Sequence, residues 1–223
     1  RCIQENKMRG LVYLAAMVVF WAASLSDPIM GMAASEIRTA LVIGNSRYSV
    51  SPLQNPVNDA TDMAAALQDC GFEVILRTDA DQRTMEEAIR LFGRKLRAGE
   101  VGLFYYAGHG MQIDGVNYLI PIGADIHAEP DIKYESVNAS RVLSYMDDAG
   151  NSMNIVILDA CRDNPFRKFF RSLQQGLAKM DAPRGSIIAY ATEPGSVAAD
   201  GSGRNGLYTE KLLKYLKVPD LPI

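Results

Sequence analysis

Residues 101–110 read VGLFYYAGHG, and residues 154–161 read NIVILDAC. Both are short apolar runs rich in β-branched and aromatic residues, the pattern of strands buried on two sides. Both stop on residues of a different kind, Gly108-His109-Gly110 in the first and Cys161 in the second. Outward from this pair, Arg38–Gly44 (RTALVIG), Phe72–Arg77 and Gly185–Ala191 (GSIIAYA) read as further strands. Helical spacing fills the intervals. Ala60–Asp69 is capped by Asn58 or Asp59 and closed by Gly71, and Asp81–Arg97 carries Met85, Ala88, Ile89, Phe92 and Leu96 on one stripe. Ser140–Ala149 and Leu207–Leu216 are the other two helices, and Asp114-Gly115 between Met111–Ile113 and Val116–Ile120 predicts a two-residue hairpin. Strands alternating with helices of this length give an α/β fold, a mostly parallel sheet flanked by helices on both faces.

The chain has 223 residues, 48% of them hydrophobic, which suits one α/β domain with a substantial core. A net charge of −3 and a pI near 5.5 provide no basic footprint for nucleic acid, so no such partner is expected. Three cysteines and two histidines make neither a disulfide framework nor a zinc set. Lys7 and Arg9 precede the apolar run Leu11–Leu25, which small residues follow as far as Ala33. This is the layout of a secretory signal peptide, and the run falls short of the roughly 20 residues that span a bilayer. Residues 1–34 are therefore read as upstream sequence and an export signal, with Met8 as the start and cleavage after Ala33 or nearer Ala23-Ser24. The expected location is periplasmic or secreted; left uncleaved, the same segment would anchor the chain to a membrane. Residues 35–223 form the domain, and its last helix lies so near Ile223 that a truncated C-terminus is expected.

In open α/β sheets, sites form where strands end at their carboxyl side. Three sets of polar residues fall there: Asn58-Asp59 after the first strand, His109 after the third, and Cys161 after the fourth. A thiol becomes a strong nucleophile when a neighbouring imidazole favours its thiolate. The backbone N–H of Cys161, directly after a core strand, suits a developing oxyanion. Taken singly, a cysteine after a strand is a small buried hydrophobe and a Gly-His-Gly a loop. Together, at the ends of two neighbouring strands, they suggest nucleophile and base. Cys70 reads as core and His127 as surface.

Tyr106-Ala107-Gly108-His109-Gly110 and Asp159-Ala160-Cys161-Arg162-Asp163 resemble the histidine and cysteine segments of caspases, in which the histidine lies about 50 residues upstream. The chain resembles a bacterial caspase-like peptidase, close to the metacaspases, over Arg38 to Leu216. Asn58-Asp59-Ala60 and Asn205-Gly206-Leu207-Tyr208-Thr209 support the likeness. The resemblance implies a cysteine endopeptidase acting on protein or peptide substrates. Cys161 would attack the carbonyl, His109 would assist and protonate the leaving amine, and the backbone N–H groups of Gly110 and Cys161 would hold the oxyanion. No third catalytic side chain is evident, and no cofactor is implied. Calcium activation is known among metacaspases, but Asp125, Glu129, Asp131 and Glu135 lack an ordered ligand spacing and read as a solvated loop. The alternative is a catalytically idle caspase-like interaction domain.

Caspases carry glutamine two residues before the nucleophile; this chain has Asp159. By resemblance to metacaspases, Asp59 and Asp159 would line a pocket for Arg or Lys. The physics agrees, since a carboxylate about 4 Å from a guanidinium is worth on the order of 4 kcal/mol at an effective dielectric of 20. Asp59 read alone is a helix cap and Asp159 a brace for its strand, while Arg47 and Arg162 are possible counter-charges. Residues 162–184 (RDNPFRKFFRSLQQGLAKMDAPR) form a long basic connection in which self-cleavage is expected after Arg171 or Lys179. The alternative there is a basic amphipathic helix over Pro165–Leu177.

Overall fold

The structure, a computed structural model, describes residues 37–96, 101–161, 176–191 and 203–216. The signal-peptide reading of residues 1–34, the helix reading of Pro165–Leu177 as far as residue 175, and Arg162 and Arg171 lie outside the described residues; residues 176 and 177 are described and are not helical.

Seven strands make one sheet. They are β1 (Arg38–Gly44), β2 (Phe72–Thr78), β3 (Val101–Ile113), β4 (Val116–Leu119), β5 (Val137–Asn138), β6 (Met153–Cys161) and β7 (Ser186–Tyr190). β2, β1, β3, β6 and β7 lie side by side and parallel. The far end of β3 turns to antiparallel pairing with β4, and β4 with β5. The helices are α1 (Pro56–Asp69), α2 (Gln82–Leu96), α3 (Asp131–Glu135), α4 (Ser140–Ala149) and α5 (Leu207–Leu216).

The sheet is buried on two sides, as its unbroken apolar runs require. On one face Leu41, Ile43, Phe104, Tyr106, Val156 and Leu158 pack with Met85, Ala88, Ile89, Phe92 and Leu96 of α2 and with Val142, Leu143 and Met146 of α4. On the other, Ala40, Val42, Leu103, Tyr105, Ala107 and Ile157 pack with Ala60, Met63, Ala64 and Leu67 of α1, joined by Leu212, Leu213 and Leu216 of α5. Alternate residues of each strand serve opposite faces, the period-2 rule at work.

The hairpin forms as expected: Asp114 and Gly115 have φ of 50° and 78°, the paired left-handed geometry of the turn that matches strand twist. Three expectations are corrected. α1 starts at Pro56, with Asn55 as the flanking residue, because proline at the first helical position is preset for the helix and lacks only an N–H that would go unused. Asp59 therefore lies within the first turn and is not a cap. Gly108-His109-Gly110 is not a loop but the middle of β3, since β4 takes over pairing where β1 stops. Cys70 is half-buried at the end of α1, where its carbonyl accepts a bond from Arg38. α3 and β5 are too short to leave a periodic signal. The connection after β6 also departs from a free loop in its described part. Leu177 is buried in the core, Ala178 exchanges two hydrogen bonds with the Asn117 amide, and the Met180 N–H donates to Tyr190 Oη. Lys179 is exposed, yet its backbone is held on both sides.

Candidate active site

β3 and β6 run parallel in a register that ends by pairing His109 with Cys161. Adjacent strands are about 4.8 Å apart, so the two backbone positions stand side by side at the carboxyl end of the sheet. The register does the work that the sequence left open: residues far apart in the chain become immediate neighbours. Strand alternation also aims Gly110. The His109 N–H donates to Tyr48 Oη at 3.0 Å and its carbonyl accepts from the Ile120 N–H at 3.0 Å, both on the flank that β1 and β4 occupy. The N–H and C=O of one residue share a flank, and the next residue uses the opposite one. The Gly110 N–H therefore faces the flank of β6.

His109 is only 2% exposed, so it is packed as well as positioned. Its ring lies against Tyr48, with centroids 4.4 Å apart and planes tilted by 49°. Gly108 before it must be glycine, because a Cβ there would meet Tyr48 Oη at 2.6 Å and Tyr106 Oη at 2.7 Å. His109 Nε2 lies 2.7 Å from the Ser51 carbonyl oxygen. A carbonyl only accepts, so Nε2 carries the proton and Nδ1 is the basic nitrogen of the neutral ring. Ser51 has a φ of 53°, a left-handed conformation that costs a non-glycine residue about 1 kcal/mol or more.

The loop bearing Ser51 is fastened at its base. The Asn45 side chain bonds Ala80 at both its N–H and its carbonyl, and also the Ile120 carbonyl. The Asp79 carboxylate accepts from the backbone N–H groups of Ser46 and Arg47. Sequence reading missed Ser51 because a backbone carbonyl has no side-chain signature; its only local sign is the Ser/Pro/Asn-rich composition of the loop.

The acids assemble nearby on the α1 and α5 face. A Cβ built on Gly206 would lie 3.2 Å from Asp59 Oδ2 and 4.0 Å from Asp159 Oδ2, so both carboxylates border one small space. Asp59 is 3% exposed and accepts the Gly206 N–H at 3.0 Å. Burial pushes its pKa up to about 6, against the opposing hydrogen bonds from Asn205 and Gly206, and the Asp159 charge adds to the rise. Asp159 accepts from Thr209 Oγ1 at 2.6 Å, and Thr209 Oγ1 lies 2.6 Å from Tyr105 Oη. Asp159 thus braces its strand against α5 while bordering that space. Burial, then the charges of Asp159 and Asp59, raise the Tyr105 phenol well above its ordinary range and keep it neutral.

The segment that closes this space is tied to α1. Arg204 makes two bonds to Asp62, at 2.9 and 3.0 Å, and holds that carboxyl below its usual range. Asn205 Nδ2 also donates to Asp62, and Asn58 Nδ2 donates to the Arg204 carbonyl. The sequence gives no sign that Asp62, Arg204 and Asn58 tie residues 204–206 to α1, because their pairing spans most of the chain. Arg47, by contrast, pairs with Asp79 and leaves the two pocket acids alone. His127 is on the surface and pairs with Asp125 at 2.8 Å, and Asp131 accepts the N–H groups of His127 and Ala128. Among the described residues no group of three or more His, Cys, Asp or Glu is arranged to hold a metal.

Residues 37–221 match the model of a family described as the caspase domain. The chain is 28% identical over 181 residues to mucosa-associated lymphoid tissue lymphoma translocation protein 1 of Homo sapiens, an alignment covering 81% of this chain and 21% of that protein. It is 27% identical over 188 residues to the homolog of that protein in Mus musculus, covering 84% of this chain and 22% of the relative. The chain thus spans about a fifth of the length of these curated relatives.

Proposed function

From the premise that this chain belongs to the caspase domain family, we propose that it is a cysteine endopeptidase cutting after Arg or Lys. The observation that carries the reading is the His109–Cys161 register pair, with Asp59 and Asp159 around one space on the neighbouring face. The thiol proton of Cys161 passes to His109 Nδ1, and the thiolate sulfur bonds to the scissile carbonyl carbon. The oxyanion is held by the Gly110 and Cys161 N–H groups. The C–N bond then breaks, the amine leaves with the proton from His109, and an acyl thioester remains. Water adds to the thioester, giving a proton to His109; the C–S bond breaks, the new acid is released, and the thiol regains its proton. The Ser51 carbonyl keeps the imidazole in the tautomer this cycle needs and steadies the imidazolium.

The basic side chain of the substrate binds between Asp59 and Asp159. A guanidinium pairs with both carboxylates, whereas a substrate aspartate would bring a third negative charge into a space that already disfavours two. The same reading has the enzyme exported, by the basic flank and apolar run of residues 7–25, and working without a resident cofactor.

Hydrolysis of fluorogenic Arg, Lys and Asp peptides by the purified protein, with and without calcium, tests it. Turnover of Arg or Lys peptides that Cys161→Ala loses is the expected result. Preference for Asp peptides would overturn the pocket assignment. No turnover of any peptide would overturn the peptidase reading and favour a non-catalytic interaction domain.

A further inference from the structure

β3 has two flanks at His109: Cys161 stands on one, and a cavity opens on the other. Tyr48, Val50, Ile120, Pro121, Ala124 and His109 line it, and it opens to solvent. Ile120 and Tyr48 form its buried floor, and Val50, 41% exposed, stands at its lip. Among the described residues that line it, none is Asp, Glu, Lys or Arg. The tyrosine hydroxyl is already committed, accepting the His109 N–H and donating to the Ile120 carbonyl at 3.1 Å. Apart from the Ser49 hydroxyl and His109, the side chains facing the space are therefore apolar.

We infer that this cavity binds the side chain of the residue that follows the scissile bond, and that it selects an apolar one such as leucine or valine. The inference rests on the peptidase reading. With the acyl carbon on Cys161 and the departing nitrogen at His109, the residue carrying that nitrogen continues past the imidazole, away from β6. The concavity that His109 itself lines is on that side. An apolar side chain there gains burial against Ile120, Pro121 and Ala124. An aspartate would give up hydration and find no Lys or Arg among the described lining residues, and the His109 imidazolium that forms during the cycle is already held by the Ser51 carbonyl.

The test compares kcat/KM of the whole chain on internally quenched peptides with Arg before the scissile bond and Leu, Gly or Asp after it. Leucine is expected to lead aspartate by about tenfold or more, the scale on which apolar pockets discriminate. Val50→Lys, a change at an exposed lip position, is expected to collapse or invert that ratio. Equal rates on the three peptides, or a leucine preference that Val50→Lys leaves unchanged, would overturn the cavity assignment while leaving Arg cleavage intact. Failure to cleave any of them would overturn the peptidase reading, and the cavity assignment with it.

Discussion

On the α2 and α4 face of the sheet, Phe104, Tyr106, Val156 and Leu158 meet an apolar helix stripe; on the α1 and α5 face, Leu103, Tyr105 and Ile157 begin the same way. The second face then changes character toward the carboxyl ends of its strands, where Asp59, Asp159, Thr209 and the Tyr105 hydroxyl replace aliphatic carbon. Burying a carboxylate is unfavourable unless it is paired, and the raised pKa of Asp59 registers that cost directly. One face is built for cohesion, and the other gives up some cohesion to keep charge in a confined space. The contrast marks where apolar packing gives way to buried charge.

The largest expected break in this comparison is chemical. Cys161→Ala should lower the rate of Arg-peptide cleavage by on the order of a thousandfold or more, measured against wild type by fluorogenic assay. His109→Ala should abolish turnover equally, but it should also lower the melting temperature, because a buried ring packed on Tyr48 is removed. On the cohesive face, Phe92→Ala should cost about 3–5 kcal/mol in urea unfolding. It should leave the ratio of Arg to Lys cleavage as it was, since α2 does not border the pocket. A shift in that ratio would show that the two faces are not independent.

Asp59→Asn should act in opposite directions on function and stability. Cleavage of Arg peptides should drop about a hundredfold, read as kcat/KM against a citrulline peptide, which should be much less affected. Stability should rise by on the order of 3 kcal/mol above about pH 6. The sign follows from linkage. The folded carboxyl titrates near 6 and the unfolded one near 3.8, so the wild-type fold binds the proton more tightly. Its penalty for ionising grows between those two values, is complete above the upper one, and vanishes below the lower. Matched denaturation curves across that range should show the two proteins converging at acid pH. The same titration predicts that wild-type kcat/KM for Arg peptides falls as pH drops through about 6, where Asp59 becomes neutral. A smaller effect is expected from Thr209→Val: about 1 kcal/mol in stability, with a raised KM for Arg peptides as Asp159 loses its anchor.

Much of the fold was legible because its signals are local. The bounds of β1, α4 and α5 follow from apolar runs and helical spacing within each segment, and the stripe on α2 from Met85 to Leu96 is buried as its period demands. Asn58 and Asp59 look like caps, but α1 starts earlier, because Pro56 presets the first turn. The Gly-His-Gly segment reads as a loop but lies within β3. Glycine usually breaks strands, but here Gly108 admits two tyrosine hydroxyls where a Cβ would clash.

The sequence alone was enough for the α/β class, the order of the longer elements, and a cysteine that closes a core strand, because periodicity and punctuation are written within a few residues of each other. Only the tertiary structure decided that β3 and β6 are neighbours in a register that pairs His109 with Cys161. It alone brought the Ser51 carbonyl to the imidazole, and laid residues 204–206 across α1 so that Gly206 and Asn205 bond Asp59. Strand register, a backbone acceptor and a contact spanning most of the chain are set by pairing and packing between distant segments, and no local pattern of side chains encodes them.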